Sequence, residues 1–321
     1  MKKIKVAVLR GGPGVENEIS MKSGKNILEN LSDKYIPMDI FISKDKIWYL
    51  DGVAISPEKL FKNIDIVFNA MHGEYGEDGK IQQIMNHFGI KYTGSKILAS
   101  AISMNKVLTK DIFIKAGLKT PIYKIIKKGD NLENIDQIIF KTFSLPAIIK
   151  PGNSGSSLGI SLVKIFKDIL PAIKNALKYS DIIIIEEFIK GKEATCGVIE
   201  NFRKESIYPL LPVEIIKPKN FEFFDYDAKY SGISDKVCPG NFSDKEKIII
   251  QKMAVEAHKV LGLRHYSRAD FIVNPKRGIY ILEVNSLPGL TKESLFPKSL
   301  EAVGCSIPHF LDHIITLALE E

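Results

Sequence analysis

Three cysteines, Cys196, Cys238 and Cys305, are all that 321 residues hold, and no two form a CxxC pair. An odd, scattered set argues against a disulfide framework or a thiolate zinc site and fits a reducing compartment. Long apolar runs are also missing. The most apolar stretch, Ile182–Ile185, is bracketed by Asp181 and Glu186 and is far too short to cross a bilayer. The opening MKKIKVAVLRGG is basic and then apolar, but its apolar part is too short for the core of a secretion signal and predicts a first buried strand instead. These absences predict a cytoplasmic chain with no membrane partner. The net charge is +7 and the pI is near 9.0, yet no five basic residues stand in a row. The lysines read as a solvated surface, and nucleic acid is not an expected partner. No GxxxxGK precedes a Ser or Thr, which excludes a Walker-type phosphate loop, and the Gly12-Pro13-Gly14 turn lacks the third glycine of a dinucleotide fingerprint.

What is present is an ordinary globular composition, 45% hydrophobic and 26% charged, in a chain long enough for two or three lobes. The apolar run Ile4–Leu9, the Gly11-Gly12 turn, helical spacing over Glu18–Leu31, and strands at Tyr35–Ile42 and Asp65–Phe68 predict a parallel α/β lobe over about residues 1–102. Glu77–Phe88, Met104–Ala116 and Leu132–Phe140 are predicted helices. Leu145–Lys150 and Ile160–Val163 read as a hairpin with a small-residue tip. Asp181–Phe188, Ala194–Glu200 and Ser206–Ile216 are expected strands, 217–241 a long loop, and Lys245–Leu263 an amphipathic helix. Loops of that length are uncommon unless functional. Tyr266–Asn274 and Gly278–Asn285 form a predicted hairpin, and two short helices close the chain.

Three segments carry chemistry. On the C-terminal hairpin Arg268 and Asp270 share one strand face, as do Glu283 and Asn285 on the partner strand. Two carboxylates and an amide oxygen on one face suit a hard divalent cation, Mg²⁺ or Mn²⁺ rather than zinc. The bland reading is a solvated charged face. The following Ser286–Thr291 turn can aim backbone N–H groups at an anion. The segment from Lys150 to Gly159, KPGNSGSSLG, lets backbone approach phosphate oxygens, or is merely a polar hairpin tip. Glu186, Glu187, Phe188 and Ile189, with Glu193 beyond, end an apolar strand and can line an adenine slot with a carboxylate for the ribose.

Nine pieces then occur in order. They are Gly11-Gly12 with Glu16, His72 through Gly79, Ser103 through Lys106, Lys150 through Gly159, Asp225 through Tyr230, Cys238-Pro239, Arg268-Ala269-Asp270, Glu283-Val284-Asn285 and Pro288 through Leu295. Together they resemble the D-alanine–D-alanine ligase family from about residue 4 to 315.

The resemblance implies an α/β (α+β) ATP-grasp fold. It divides the chain into an N-terminal lobe (1–102), a central lobe (103–188) and a C-terminal lobe (189–321) that carries the metal site and a lid at 217–241. It implies that ATP phosphorylates one D-alanine and that a second displaces the phosphate, making the peptidoglycan dipeptide. Lys106 and Lys150 would hold phosphates under the loop bearing Ser156 and Ser157. Glu186 through Ile189 would take adenine, and Glu193 the ribose. Asp270, Glu283 and Asn285 would bind two Mg²⁺ (or Mn²⁺) ions. Glu16, with Ser156 and Tyr230, would hold the first ammonium, His72 would orient substrate, and Lys229 and Ser294 would take the second carboxylate. Arg268 and the Gly289 N–H would stabilise the oxyanion. Phe221, Phe223 and Phe224 would seat the closed lid. A homodimer is also implied.

Gly14, Asn17 and Ser154 depart from the usual residues beside the first-substrate site and phosphate loop, which leaves substrate preference open. D-serine or D-lactate as second substrate, or a non-catalytic nucleotide-binding relative, are the alternatives. Ester-forming members resemble one another in a lid histidine where Tyr230 stands, so Tyr230 favours an amine.

Overall fold

The computed structural model of the chain describes residues 3–153, 158–216 and 235–321. Its first sheet begins with β1 (Ile4–Gly11), which leads through α1 (Asn17–Asn30) to β2 (Tyr35–Ile42). Then follow β3 (Trp48–Leu50), β4 (Val53–Ala54), α2 (Pro57–Phe61), β5 (Ile66–Asn69), α3 (Lys80–His87) and β6 (Lys91–Tyr92). The strand order is β4-β3-β2-β1-β5-β6, with β2, β1, β5 and β6 parallel. Both faces of β1 are buried because Val6 and Val8 enter one apolar cluster while Ala7 and Leu9 enter another. That is why its sequence is apolar without alternation.

A helical pair, α4 (Ile97–Met104) and α5 (Lys106–Lys115), leads into the second sheet. The single helix expected over Met104–Ala116 is broken at Asn105, whose side-chain carbonyl accepts from Val107 N and Leu108 N and caps α5. Next come β7 (Tyr123–Lys127), α6 (Ile135–Thr142), β8 (Ala147–Pro151), β9 (Ser161–Val163), α7 (Ile169–Ala176) and β10 (Ile182–Glu187). The order is β7-β10-β8-β9, and the β8/β9 pair is the expected antiparallel hairpin. Ile183 and Ile185 enter the core under α6 and α7 with Ala147 and Ile149. Strand alternation therefore turns Ile148, Lys150 and Glu186 to the opposite face.

The third sheet contains β11 (Lys192–Phe202), β12 (Glu205–Pro209), β13 (Val213–Ile216) and β14 (Asp235–Val237). After α8 (Asp244–Val260), β15 (Tyr266–Asn274) and β16 (Gly278–Asn285) complete it. The order is β14-β13-β11-β15-β16, with β12 also paired to β11. Two expectations are corrected. Ser206–Ile216 is two strands rather than one: β12 pairs with Val198–Phe202 and β13 with Glu193–Thr195, separated around Pro212, which has no N–H to offer a ladder. Of the expected loop 217–241, residues 217–234 lie outside the described residues, while Asp235–Val237 is a strand on β13.

Helix α8 starts at a capping box formed by Ser243 and Glu246 and packs with α5 on one face of this sheet. The chain closes with α9 (Leu295–Ala302) and α10 (Ile307–Glu320). Phe296, Leu300, Phe310 and Leu311 from these helices share a cluster with Val6, Val8 and Ile27, so the C-terminal helices cover one face of the first sheet.

Candidate active site

One cavity of about 1210 Å³ opens where the three sheets meet. Its metal-type wall is the β15/β16 hairpin. Arg268 pairs in register with Asn285, and Asp270 with Glu283. Just beyond, Leu282 is an extra residue, so that Phe271 pairs with Ile281. This bulge brings Leu282 and Glu283 both to the cavity, while Ala269 stays in the core on the other face. Asp270, Glu283 and Asn285 therefore share one side of their sheet, and the Asn285 Nδ2 lies 3.2 Å from Asp270 Oδ2.

The carboxylates are not left to repel one another. Arg268 donates two hydrogen bonds to Asp270, at 2.9 and 2.8 Å, and Thr195 Oγ1 donates a third at 2.6 Å. Lys106 Nζ lies 3.3 Å from Glu283. Cationic side chains therefore already offset the paired negative charge of this wall. The donor set itself, two carboxylates and an amide oxygen facing one cavity, still fits a hard cation. No cluster of three or more His, Cys, Asp or Glu that could hold a metal occurs among the described residues, so a softer ion has no nitrogen or sulfur ligand set there.

Lys106 opens α5, and its backbone N–H donates to Gly152 O at 2.9 Å, which ties the helix start to the strand end carrying Lys150. Lys150 reaches Glu186 Oε1 at 2.6 Å. Burial pushes the Glu186 carboxyl up, but the ammoniums of Lys110 and Lys150 outweigh it and hold it below the ordinary carboxylate range. Glu187 accepts from Ile122 N and receives a two-pronged contact from Arg277, at 2.9 and 3.1 Å. Phe188, Ile189, Ile272 and Leu282 give the cavity an apolar side beside them, a slot of the kind that takes a flat heteroaromatic base. Glu193 faces the same cavity from β11.

The opposite wall comes from the first sheet. Glu16 precedes α1 and lines the cavity. Gly73, at φ 69°, lies so close that a Cβ there would meet Glu16 Oε2 at 2.1 Å. His72 is buried, with Nε2 2.8 Å from Ser23 Oγ and Nδ1 3.0 Å from Leu287 O. A carbonyl can only accept, so Nδ1 carries the proton and Nε2 accepts from the Ser23 hydroxyl. Burial, against the bond to Leu287, lowers its pKa to about 4 and keeps the ring neutral. The Ser23 hydroxyl in turn accepts from Leu290 N. His72 thus ties the first sheet to the turn that carries Gly289.

Glu77, which has no role in the sequence reading, does the same. It accepts from Gly73 N at 2.8 Å, Leu287 N at 2.9 Å and Ser286 Oγ at 3.2 Å. Burial, and then the nearby Glu16 charge, raise its pKa to about 7 despite those three bonds. Gly289 is closed in by Ser294, whose hydroxyl would lie 3.0 Å from a Cβ there. Ser294 Oγ is 2.7 Å from Thr291 Oγ1 rather than capping α9. Every candidate residue among the described ones lines this cavity; Ser156, Ser157, Lys229 and Tyr230 lie outside the described residues. Arg277 and Glu77 went unassigned because their partners are remote in sequence. The one signal was that Glu77 sits inside the Gly-rich run after His72.

Comparison with known proteins agrees with this geometry. The family described as D-ala D-ala ligase C-terminus matches residues 112–316, and the one described as D-ala D-ala ligase N-terminus matches 51–95. The chain belongs to the D-alanine–D-alanine ligase family. A D-alanine–D-alanine ligase of Pelotomaculum thermopropionicum is 36% identical over 99% of the chain and 97% of its own length. The D-alanine–D-alanine ligase of Coxiella burnetii superposes with a TM-score of 0.86 at 28% identity, covering 100% of this chain and 95% of that one. The VanG D-Ala:D-Ser ligase of Enterococcus faecalis also gives 0.86, at 29% identity over 98% and 99%. The ligase fold, an ATP-grasp fold, is therefore shared by members that differ in their second substrate.

Proposed function

We propose that this chain is an ATP-dependent D-alanine–D-alanine ligase, acting in peptidoglycan synthesis through a D-alanyl phosphate. The observation that carries the reading is the register of Asp270 with Glu283 on a cavity face that also receives Lys106 and Lys150. In the first step a carboxylate oxygen of one D-alanine attacks the γ-phosphorus of ATP, and ADP leaves. In the second the amine of another D-alanine attacks the acyl carbon, loses a proton, and phosphate is expelled. Such phosphoryl transfer depends on positioning and charge neutralisation rather than covalent help.

Roles for this chain's residues follow. Lys106 and Lys150 neutralise ATP phosphates beneath the loop with Ser156 and Ser157. Glu186, Glu187, Phe188 and Ile189 receive adenine, and Glu193 the ribose hydroxyls. Asp270, Glu283 and Asn285 would hold Mg²⁺ or Mn²⁺, two ions in our reading, which would supply charge neutralisation at the ATP phosphates. Glu16, with Ser156 and Tyr230, pairs with the first ammonium, and His72 orients that site through Ser23 and the Leu287 turn. Lys229 and Ser294 bind the second carboxylate. Arg268 and the Gly289 N–H face the tetrahedral oxyanion. A lid within 217–234 keeps water from the acyl phosphate. The lobes 1–102, 103–188 and 189–321, a cytoplasmic homodimer, and D-alanine and ATP as the small-molecule partners complete the proposal. No single helix among the described residues is long and apolar enough to cross a membrane.

Phosphate release with a panel of D- and L-amino acids tests the reading. D-alanine alone should support turnover and dipeptide formation. Faster ligation to D-serine or D-lactate in competition would move the chain to the alternative specificities, and ATP binding with no phosphate release would make it a non-catalytic relative.

A further inference from the structure

Behind the nucleotide side of the cavity lies a charged residue that the reaction as described does not use. Lys110 is 1% exposed and does not line the cavity, whereas Lys150 and Glu186 do. It stands one helical turn after Lys106 on α5, so one helix face delivers two ammoniums, Lys106 to Glu283 and Lys110 to Glu186. The Lys110 Nζ lies 2.8 Å from Glu186 Oε2, a buried ion pair. It donates a hydrogen bond to Thr120 Oγ1 at 2.8 Å and sits 5.3 Å from the centre of the Tyr123 ring. Glu186 Oε1 takes Lys150 at 2.6 Å. One buried carboxylate therefore serves two lysines, one facing the cavity and one walled off from it.

This arrangement sets a problem and supplies its solution. If Lys150 turns to a phosphate, it leaves Glu186. A buried carboxylate stripped of its only cation is strongly unfavourable. With Lys110 in place, Glu186 keeps a partner when Lys150 departs. We propose that Lys110 is a positioning residue that holds Glu186 ionised and fixed from behind the wall, so that Lys150 is released to the nucleotide phosphates. The proposal rests on the reading of this cavity as the ATP site.

Without Lys110, Lys150 is the one cation left to Glu186 and is kept there. K110M should therefore weaken ATP binding by ten- to a hundredfold in calorimetric titration. The KM for ATP should rise in step, while the KM for D-alanine stays within about threefold. In the E186Q background there is no buried carboxylate to strand, so K110M/E186Q should bind ATP within about threefold of E186Q alone. A Lys110 that merely fills space predicts the same loss in both backgrounds, and that result overturns the proposal. So does a folded K110M that binds ATP like the wild type. If K110M does not fold, the comparison of K110M/E186Q with E186Q decides alone, and a further loss of tenfold or more counts against the proposal. K150M separates the two claims. If K150M binds ATP normally, the reading of the cavity fails; if K150M loses ATP while K110M does not, only the role of Lys110 fails.

Discussion

Glu77 offers a quantitative handle on how the first sheet is locked to the substrate turn. Its carboxyl is 7% exposed and is raised from 4.5 to about 7, first by burial and then by the Glu16 charge. The folded state thus holds this proton more tightly than the unfolded chain. Between pH 4.5 and 7 it binds more protons than the unfolded chain, and stability falls as pH rises through that window. The shift corresponds to about 3 kcal/mol, fully present below pH 4.5 and lost above about pH 7. Glu77→Gln removes the ionisation. Its amide oxygen can still accept from one of the Gly73 and Leu287 N–H groups, but its NH₂ faces the other, at a cost of about 1–2 kcal/mol. Urea unfolding of both proteins at pH 5.0 and 8.0 measures the result. Glu77→Gln should be clearly less stable than wild type at pH 5.0, and that deficit should shrink or reverse at pH 8.0. Parallel pH dependences in the two proteins would refute the placement of a buried, titrating carboxyl between the lobes.

Other outcomes follow from the same geometry. Glu283→Gln and Asp270→Asn each remove a charged oxygen from the cation-facing wall and should lower turnover by several kcal/mol, roughly a hundredfold or more, as read by steady-state phosphate release. Activity stripped by a chelator should return on adding Mg²⁺ to the wild type. His72 is neutral with a pKa near 4, so the pH profile of kcat/KM should show no limb near 6.5 that disappears in His72→Asn. Gly73→Ala combines a left-handed φ with a Cβ on Glu16 Oε2 and should cost about 1–2 kcal/mol of stability, with a raised KM for D-alanine. Arg277→Ala frees Glu187 from its two-pronged partner and should raise the KM for ATP by a few fold while leaving that for D-alanine unchanged.

Much of this was legible because strand alternation is a strong local rule. Arg268, Asp270, Glu283 and Asn285 follow from period two and a recognisable Asn-Pro turn, and the register agrees. The β8/β9 hairpin and α1 were similarly plain. Sequence periodicity did not reveal the bulge at Leu282, since one extra residue leaves no mark on composition. Nor did it reveal the break at Asn105, because Met104 through Lys106 keeps helical spacing across a cap. The pairing of Asp270 with Arg268 and of Glu283 with Lys106 was missed for another reason: which cation a carboxylate meets depends on rotamers and on the approach of α5. Glu77 and Lys110 were hidden most completely. Leu287 and Glu186 stand far from Glu77 and Lys110 in the chain, and local sequence does not say that these side chains will meet them.

The central claim is that this cavity activates D-alanine as an acyl phosphate and passes it to a second D-alanine. D-alanine labelled with ¹⁸O in its carboxylate, turned over with ATP, tests that most directly. The account predicts one ¹⁸O atom in each phosphate released, in step with dipeptide formed. Dipeptide accompanied by unlabelled phosphate would contradict it.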